Sequence, residues 1–321
     1  MFDFKGLNGV GLGLRTELWD DVLEYPSTKN IQFLEIAPEN WMNMGGNREQ
    51  LFEQLIKKFP MVAHGLSLSL GGPAPLNKKF LADIRVFLED YNIELYTEHL
   101  AYCADNSGYW YDLLPIPSTL ETARYVADRI KNVQDILGRR IAIENASTYT
   151  LPEGTTLPEW EFVAEISELA DCGLHVDINN VFVNSVNHHF DPKKYLRALD
   201  VKRVCYMHMA GHLEDIAPDT GDRLLIDTHG ASVCESVWNL YEFAVSRFGS
   251  VPTLLERDLN IPDFSELMPE LERIAIIQSA DKYKEIDVNK EKLFKDNFLV
   301  QTEKIMLARN YNTEETILDH S

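Results

Sequence analysis

Short apolar runs alternate with longer segments of helical periodicity along most of the chain. The short runs predict eight strands, Val10–Leu14, Gln32–Ile36, Met61–His64, Ile93–His99, Arg140–Glu144, Gly173–Asp177, Arg203–His208 and Thr253–Glu256. The amphipathic segments between them predict helices, the clearest being Lys78–Tyr91, Thr119–Leu137, Glu159–Asp171 and Cys234–Phe248. Eight strand–helix units in about 280 residues favour an α/β fold, the (β/α)8 TIM barrel, for which roughly 250 residues is typical.

An alternative to the barrel is an open, doubly wound sheet that binds a dinucleotide. Such a fold needs a glycine-rich turn between an early strand and the helix that follows it. The glycines of Gly9–Gly13 come before or within the first predicted strand, and no glycine opens a helix after it. We therefore do not interpret this segment as a phosphate-binding loop, and we favour the barrel.

The strand–helix pattern ends near residue 280. Residues 282–295 are dense in charge, and residues 298–307 have a weaker amphipathic pattern. We predict a barrel domain over residues 1–280 and a helical C-terminal tail over residues 281–321. If a partner protein binds this chain, the tail is where we expect the contact.

The composition fits a large globular domain and disfavours several classes of protein. Of the 321 residues, 45% are hydrophobic and 25% are charged, which is enough to bury a full core. The chain has 51 acidic and 30 basic residues, and its net charge of −21 repels nucleic acids and anionic lipid surfaces. The sequence begins without a basic segment followed by an apolar run, and it contains no apolar stretch as long as a membrane span. We therefore expect a soluble cytoplasmic protein that binds neither nucleic acid nor membrane.

Metal-binding residue types are concentrated where the predicted strands end. In a (β/α)8 barrel, the carboxyl ends of the strands converge at the mouth that carries the active site. The candidate metal ligands at these ends and in the loops just after them are His64, His99, Glu144, Asp177, Asn180, His208, His212, Asp227, His229 and Glu256. Carboxylates gathered in one place repel each other, and cations remove that repulsion. We therefore predict a cluster of more than one metal ion.

The ligand types narrow the choice of metal without fixing it. Imidazole together with carboxylate suits iron, zinc or manganese. The four cysteines of the chain lie outside the set, which argues against a thiolate zinc site. Asp227 and His229 are two residues apart, so an extended segment would direct both side chains to the same ion.

For two other pairs of residues, binding to the same ion depends on the conformation of the chain after the strand. Asp177 and Asn180 lie three residues apart where we expect a strand to turn into a loop, which allows a shared approach to one ion. His208 and His212 lie four residues apart and would share a face only if the chain became helical after the strand. His212 is therefore either a ligand or a proton-transfer group.

Several short phrases of the sequence resemble a known family. They are His64-Gly-Leu-Ser-Leu-Ser-Leu-Gly-Gly72, Glu98-His-Leu100, Glu144-Asn145, Asp177-Ile-Asn-Asn180, His208-Met-Ala-Gly-His212, Asp227-Thr-His229 and Leu255-Glu-Arg-Asp258. These phrases resemble the multinuclear non-heme iron-dependent oxidases, which include the methanobactin-biosynthesis B-type enzymes and belong to the xylose-isomerase-like barrels. The resemblance covers about residues 7 to 280. The order of the ligands also resembles the three-metal centre of endonuclease IV, except that Asn180 stands where that pattern has a histidine.

This resemblance implies an enzyme that holds two or three iron ions as Fe2+ or Fe3+, with zinc or manganese as possible substitutes. It would use O2 to oxidise cysteines of a small precursor peptide, which a small partner protein delivers. By the same resemblance, Glu144 bridges two ions, with His64 and His99 on one side. Asp177, His208 and Glu256 lie on the other side, and a third site uses Asn180, Asp227 and His229. His212 and Asp227 are the candidate catalytic residues.

Other functions remain open from the sequence. The same barrel supports metal-dependent phosphodiesterases and sugar isomerases, and a non-catalytic metal-binding protein would also need these ligands. The acidic charge disfavours a nuclease, and no predicted strand ends in the lysine that a sugar isomerase usually has. Glu35 and Glu39, near the second strand, are interpreted as structural or supporting residues, one of which could face the mouth.

Overall fold

The computed structural model describes residues 7–26, 30–105, 107–217 and 221–280. Its strands are β1 (Val10–Gly13), β2 (Phe33–Ile36), β3 (Met61–Gly65), β4 (Leu95–His99), β5 (Tyr102–Asp105), β6 (Gly108–Leu114), β7 (Ala142–Glu144), β8 (Gly173–Asp177), β9 (Val204–Met209), β10 (Leu213–Ile216), β11 (Arg223–Ile226) and β12 (Thr253–Leu255). Eight of them form a closed parallel barrel in the order β1-β12-β9-β8-β7-β4-β3-β2. The barrel closes because β1 pairs with both β2 and β12. This arrangement confirms the predicted fold.

Helices cover the outside of the barrel. They are α1 (Trp19–Glu24), α2 (Asn47–Lys58), α3 (Lys78–Asp90), α4 (Leu120–Leu137), α5 (Glu159–Ala170), α6 (Ile178–Asn187), α7 (Pro192–Ala198), α8 (Glu235–Phe248) and α9 (264–280). Short 3-10 turns lie at Thr16–Leu18 and Pro38–Asn40. The four helices predicted from periodicity are present as α3, α4, α5 and α8.

Local sequence sets where these helices begin and end. The Thr119 side chain accepts a hydrogen bond from the Thr122 amide and so caps the start of α4. The same helix ends at Gly138, whose φ of +68° is a left-handed conformation that glycine adopts without strain. The Asp177 side chain caps α6 by accepting from the Asn180 amide at 2.6 Å. Helix α6 therefore starts directly at the end of β8, where we had expected a loop.

Apolar side chains fill both the barrel interior and the layer between strands and helices. The interior holds Phe33, Val62, Leu95, Ala142, Cys205, Tyr206 and Leu254, which come from six of the barrel strands. A larger cluster joins the outer faces of the strands to the helices. The interior packing forms a solid floor beneath the carboxyl ends of the strands, so any site at the mouth rests on a rigid base.

Two antiparallel hairpins interrupt the barrel repeat on its carboxyl side. One is β5–β6 after β4, and the other is β10–β11 after β9. The residues of β10 are all exposed. The predicted C-terminal tail, residues 281–321, lies outside the described residues and stays a prediction. Within the part of the chain that the structure describes, no helix has both the length and the apolar character needed to cross a membrane.

Gly211 joins β9 to the second hairpin at a point where main-chain atoms leave no room for a side chain. A Cβ at this position would lie 2.1 Å from the carbonyl oxygen of Ala231 and 2.7 Å from that of Ser232. Because backbone atoms cannot rotate aside, we expect Gly211→Ala to lower the free energy of unfolding by about 1–3 kcal/mol. Urea denaturation measures this loss.

Gly45→Ala is the matched control, because a Cβ at Gly45 would meet nothing within 4 Å. We expect this variant to unfold at the same urea concentration as the wild type. An unchanged midpoint for Gly211→Ala would show that the contact between Gly211 and the Ala231–Ser232 backbone is looser than the structure has it.

Candidate metal centre

The barrel brings the predicted ligands together at its mouth. His64, His99, Glu144 and Asp177 lie at the carboxyl ends of β3, β4, β7 and β8. His208 lies near the end of β9, and Glu256 directly follows β12. Asp227 and His229 reach the same place from the loop that follows β11. All of these side chains are buried or nearly so.

One group of donor atoms forms around Glu144. The Nε2 atoms of His64 and His99 lie 2.9 Å and 3.1 Å from Glu144 Oε2. His99 Nδ1 donates to the Gly65 carbonyl at 2.9 Å, and His64 Nδ1 lies 2.6 Å from the Thr97 hydroxyl. These outer contacts fix both rings with Nε2 facing the carboxylate, as second contacts of metal-binding histidines do.

A second group forms around His208. Its Nδ1 lies 2.9 Å from Glu256 Oε2, and also 3.8 Å from Glu144 Oε1 and 3.9 Å from Asp177 Oδ2. On the other side of the ring, Nε2 lies 2.9 Å from Glu35 Oε2. Glu35 thereby holds the ring with Nδ1 towards the three other carboxylates.

A third group forms around His229. His229 Nε2 lies 2.7 Å from Asp227 Oδ1, and Nδ1 lies 3.4 Å from Glu256 Oε2. Donor atoms of Asp177, His229 and Glu256 all lie within 4.8 Å of one another. Because Glu144, Asp177 and Glu256 each approach more than one histidine, the three groups are adjacent and share carboxylates.

Asn180 and His212 lie at the edge of these groups. The Asn180 side chain donates to the Asn145 carbonyl at 3.1 Å, and its Oδ1 is buried. The segment after β9 is extended and not helical, so the condition for His212 to share a face with His208 is not met. Instead, His212 Nδ1 lies 2.7 Å from Asn179 Oδ1, and the Asn179 amide donates to Asp227 Oδ1 at 2.8 Å. The structure therefore connects His212 to Asp227 through one amide side chain.

The structure places in the centre two residues that are absent from the predicted set of ligands. The His175 ring lies 3.9 Å from the His208 ring, centroid to centroid, and neither His175 nitrogen has a hydrogen-bond partner among the described residues. Together with Glu144 and His208, it forms another possible ligand group. A signal was present, because His175 lies two residues before Asp177 on one strand and so shares its face. Glu35, interpreted as a supporting residue, contacts His208 directly and also accepts a hydrogen bond from Tyr206 at 2.9 Å.

Burial and mutual repulsion perturb the ionisation of this cluster. Burial raises the pKa of Glu144 to about 7, although His99 opposes the shift. Burial, together with the charge of Glu144, raises the pKa of Asp177 well above its usual value. Burial also disfavours protonation of His208, but Glu35 and Glu256 outweigh it and raise the pKa of that ring. Without bound cations, only protons shared within the cluster relieve the repulsion between these carboxylates.

Several buried polar atoms in the cluster indicate whether the site is suited to metal ions. Glu144 Oε2, Asp177 Oδ2, Asn180 Oδ1, His208 Nδ1 and His229 Nε2 have no partner in hydrogen-bond geometry among the described residues. Buried polar atoms without partners are rare in folded proteins, because each one costs free energy. Here all five atoms can act as metal ligands and belong to one cluster. The residues therefore fit bound cations with mixed nitrogen and oxygen ligands.

A cavity of about 460 Å³ opens above the cluster. The donor residues His64, His99, Glu144, Asp227, His229 and Glu256 line it. Its lining also includes Trp19, Trp41 and Arg48. Arg15 lines the same cavity and bonds to both Asp258 and Glu256. The volume suits a small molecule or one or two side chains of a peptide.

Three comparisons relate this chain to known proteins. The model of the RiPP precursor modification enzyme family MbnB/TglH/ChrH matches residues 9–279. A UPF0276 protein of Nitrosospira multiformis is 49% identical over 281 residues, covering 87% of this chain and 96% of that protein. A UPF0276 protein of Haemophilus influenzae is 45% identical over 301 residues, covering 87% and 98%.

Solved structures support the fold at low sequence identity. A xylose isomerase-like TIM barrel protein from Mycobacterium smegmatis in complex with magnesium superposes with a TM-score of 0.52 at 11% identity, covering 87% of this chain and all of that one. A D-allulose 3-epimerase from Methylomonas sp. gives a TM-score of 0.53 at 12% identity, covering 86% and 98%. At this identity, both structures establish the architecture alone. The match over residues 9–279 and the high identity to the UPF0276 proteins establish the family: this chain belongs to the RiPP precursor modification enzymes of the MbnB/TglH/ChrH type.

Proposed function

We propose that this protein is a multinuclear iron-dependent oxidase that uses O2 to modify cysteine residues of a ribosomally made precursor peptide. The observation that carries the proposal is the sharing of carboxylates between adjacent donor groups. Glu144 belongs to the group with His64 and His99 and also to the group with His175 and His208. One ion cannot use all of these donors, so the arrangement favours two or three ions with Glu144 as a bridge.

The chemical character of the donors favours iron. All of them are imidazole or carboxylate, a set that suits iron and that zinc and manganese can also occupy. When bound, iron supplies one-electron chemistry with O2 and an open position for a thiolate. In the overall reaction, the cysteine is oxidised and O2 accepts the electrons. Membership of a family that modifies precursor peptides supports a peptide as the molecule that is oxidised.

The protein's own side chains orient the centre and handle protons. Glu35 holds the His208 ring, and the Gly65 carbonyl holds that of His99. Asn179 contacts both His212 Nδ1 and Asp227 Oδ1 and so holds the His212 ring at the edge of the cluster, where an imidazole can hold or move a proton. We assign this proton-transfer role to His212, and a role as ligand and proton acceptor to Asp227.

The surface around the mouth is suited to binding a peptide that a partner protein delivers. Large hydrophobic side chains are exposed on the loops and hairpins that follow the barrel strands, namely Leu66, Tyr109, Trp110, Tyr149, Leu151, Leu213, Ile216 and Leu259. Exposed apolar groups gathered on one face of a protein are typical of a binding surface. A peptide whose cysteine enters the 460 Å³ cavity would lie across this face, and a small partner protein could cover it.

The test uses iron-loaded protein, a cysteine-containing peptide encoded beside the gene, and the neighbouring candidate partner protein. We expect a change in peptide mass that requires O2 and disappears when the cysteines are replaced by serine. Zinc-loaded protein is the control and should leave the peptide unchanged, since zinc has no redox chemistry. A mass change with zinc, or without O2, would contradict the oxidase and favour a hydrolytic reaction on the same barrel.

A further inference from the structure

Two chemically different sets of residues line the cavity above the metal centre. One set supplies the donor groups, whereas the other comes from the segments after β1 and β2 and consists of Trp19, Asn40, Trp41 and Arg48. None of these four residues belongs to a donor group of the metal centre. This second set therefore needs another explanation.

Arg48 is held in place by aromatic rings. Its guanidinium carbon lies 4.8 Å from the centroid of Trp41 and 5.8 Å from that of Trp19. Trp41 is only 4% exposed and stacks on Phe52 with ring centroids 4.6 Å apart, so the platform is rigid. A cation over an indole face is attracted to it by about 0.5–1 kcal/mol at exposed sites. The head group is thus positioned before any ligand arrives.

Arg48 also lacks a carboxylate partner within the described ranges of the chain. Among the described residues, no ion pair or hydrogen bond engages its guanidinium, and the side chain is exposed to the cavity. Arg15, on the same cavity, is by contrast bonded to Asp258 and Glu256. The chain has 51 acidic residues, so a cation beside an acid-lined cavity that pairs with none of those described is left available to a ligand.

Asn40, which lines the same cavity, also has a side chain without a partner among the described residues. That side chain is exposed and makes no hydrogen bond within the described part of the chain. A planar guanidinium binds a carboxylate through two parallel hydrogen bonds, and an amide NH2 can add a third. Together, these two side chains present the donors that a carboxylate requires.

We infer that Arg48, assisted by Asn40, binds a carboxylate of the substrate and so selects peptides that carry one close to the cysteine that enters the cavity. The carboxylate is either the C-terminus of the peptide or an Asp or Glu side chain beside the cysteine. The inference rests on the proposed function, which identifies the substrate as a cysteine peptide.

The experiment measures peptide affinity by isothermal titration calorimetry, with iron-loaded protein kept under argon. The probes are capped tripeptides with the sequence Ala-Cys-Ala, ending in a free carboxylate or in an amide, and the same two peptides with serine in place of cysteine. A fifth peptide, Asp-Cys-Ala-amide, carries its carboxylate on a side chain. We expect about tenfold tighter binding of the acid than of the amide, which corresponds to about 1.4 kcal/mol.

The variant Arg48→Gln should bind the acid no more tightly than the amide, and Arg48→Lys should keep part of the preference because it keeps the charge. Arg124 is exposed on α4, so Arg124→Gln is the control and should keep the whole preference for the acid over the amide. Equal affinity of the wild type for all three cysteine peptides, with or without a carboxylate, or an undiminished preference in Arg48→Gln, would overturn the inference. Tight binding of the Asp peptide would identify a side-chain carboxylate as the source, and weak binding would identify the C-terminus.

The serine peptides separate this inference from the proposed function. If cysteine and serine peptides bind equally well, the thiol is not recognised and the proposed function fails. The comparison of acid with amide still decides the role of Arg48 in that case.

Discussion

Replacing Glu144 by glutamine should remove at least one metal ion and abolish oxygen-dependent modification of the peptide. Glu144 Oε2 lies 2.9 Å and 3.1 Å from the Nε2 atoms of His64 and His99, and its other oxygen faces His208. Glutamine keeps the shape but loses the negative charge and one ligand oxygen. Changes to residues that only support metal ligands cost about 10–100-fold in metal affinity, so the loss of a bridging ligand should exceed that range. Elemental analysis of the purified variant measures the loss.

Glu161→Gln is the matched control, because Glu161 is exposed on α5 and belongs to none of the donor groups. It should retain the metal content and activity of the wild type. Circular dichroism should show the same helix content in both variants, because removing a buried charge from Glu144 relieves repulsion and does not disturb the barrel. A Glu144→Gln protein with full metal content would contradict the bridging role.

Removing the metal ions should make the protein lose stability as the pH rises above about 6.5. In the metal-free protein, burial raises the pKa of Glu144 to about 7 and raises that of Asp177 well above its usual value. The pKa values of His208 and His229 are also raised well above 6.5, because their carboxylate neighbours outweigh the effect of burial. The folded metal-free protein therefore holds protons that the unfolded chain has already released.

A folded state that binds more protons loses stability as the pH rises, by about 1.4 kcal/mol per pH unit for each extra proton. The pKa values of His64, His99 and His175 are lowered by burial, which has the opposite effect. That effect is confined to pH values below 6.5, because unfolded histidine is largely neutral above it. The falling stability should therefore be clear above about pH 6.5.

Thermal denaturation of chelator-treated and metal-loaded protein across this pH range measures the effect. The stability of the metal-loaded protein should change little with pH, since bound cations keep the ligands deprotonated. The difference in stability between the metal-loaded and the metal-free form should therefore grow as the pH rises. The metal-free Glu144→Gln variant should show a shallower fall than the metal-free wild type. Rising stability of the metal-free wild type above pH 6.5 would mean that the carboxylates are not buried together as the structure has them.

The barrel could be predicted from sequence because its strands are short, buried runs at regular spacing. The β10–β11 hairpin could not, because β10 is exposed along its whole length and so lacks the alternation of buried and exposed residues that identifies a strand. Helix α6 was also missed. Its cap, Asp177, was interpreted as a ligand at the start of a loop, whereas its Oδ1 caps the helix and its Oδ2 faces the cluster.

The site could be predicted in outline because parallel strands of a barrel place their carboxyl ends together. The pairing of individual atoms could not, because it depends on ring orientation. Glu35 lies within β2, and only the closed barrel brings it within 2.9 Å of His208 on β9. The contact of His212 with Asn179 likewise depends on the extended path after β9, which sequence spacing does not determine.

The most direct test of the proposed iron oxidase is the metal content of protein purified without oxygen, measured by elemental analysis together with Mössbauer spectroscopy. We expect two or three iron ions per chain, with spectra of magnetically coupled iron that disappear in the Glu144→Gln variant. A single isolated ion per chain, or zinc alone with no uptake of iron on reconstitution, would contradict the proposed function.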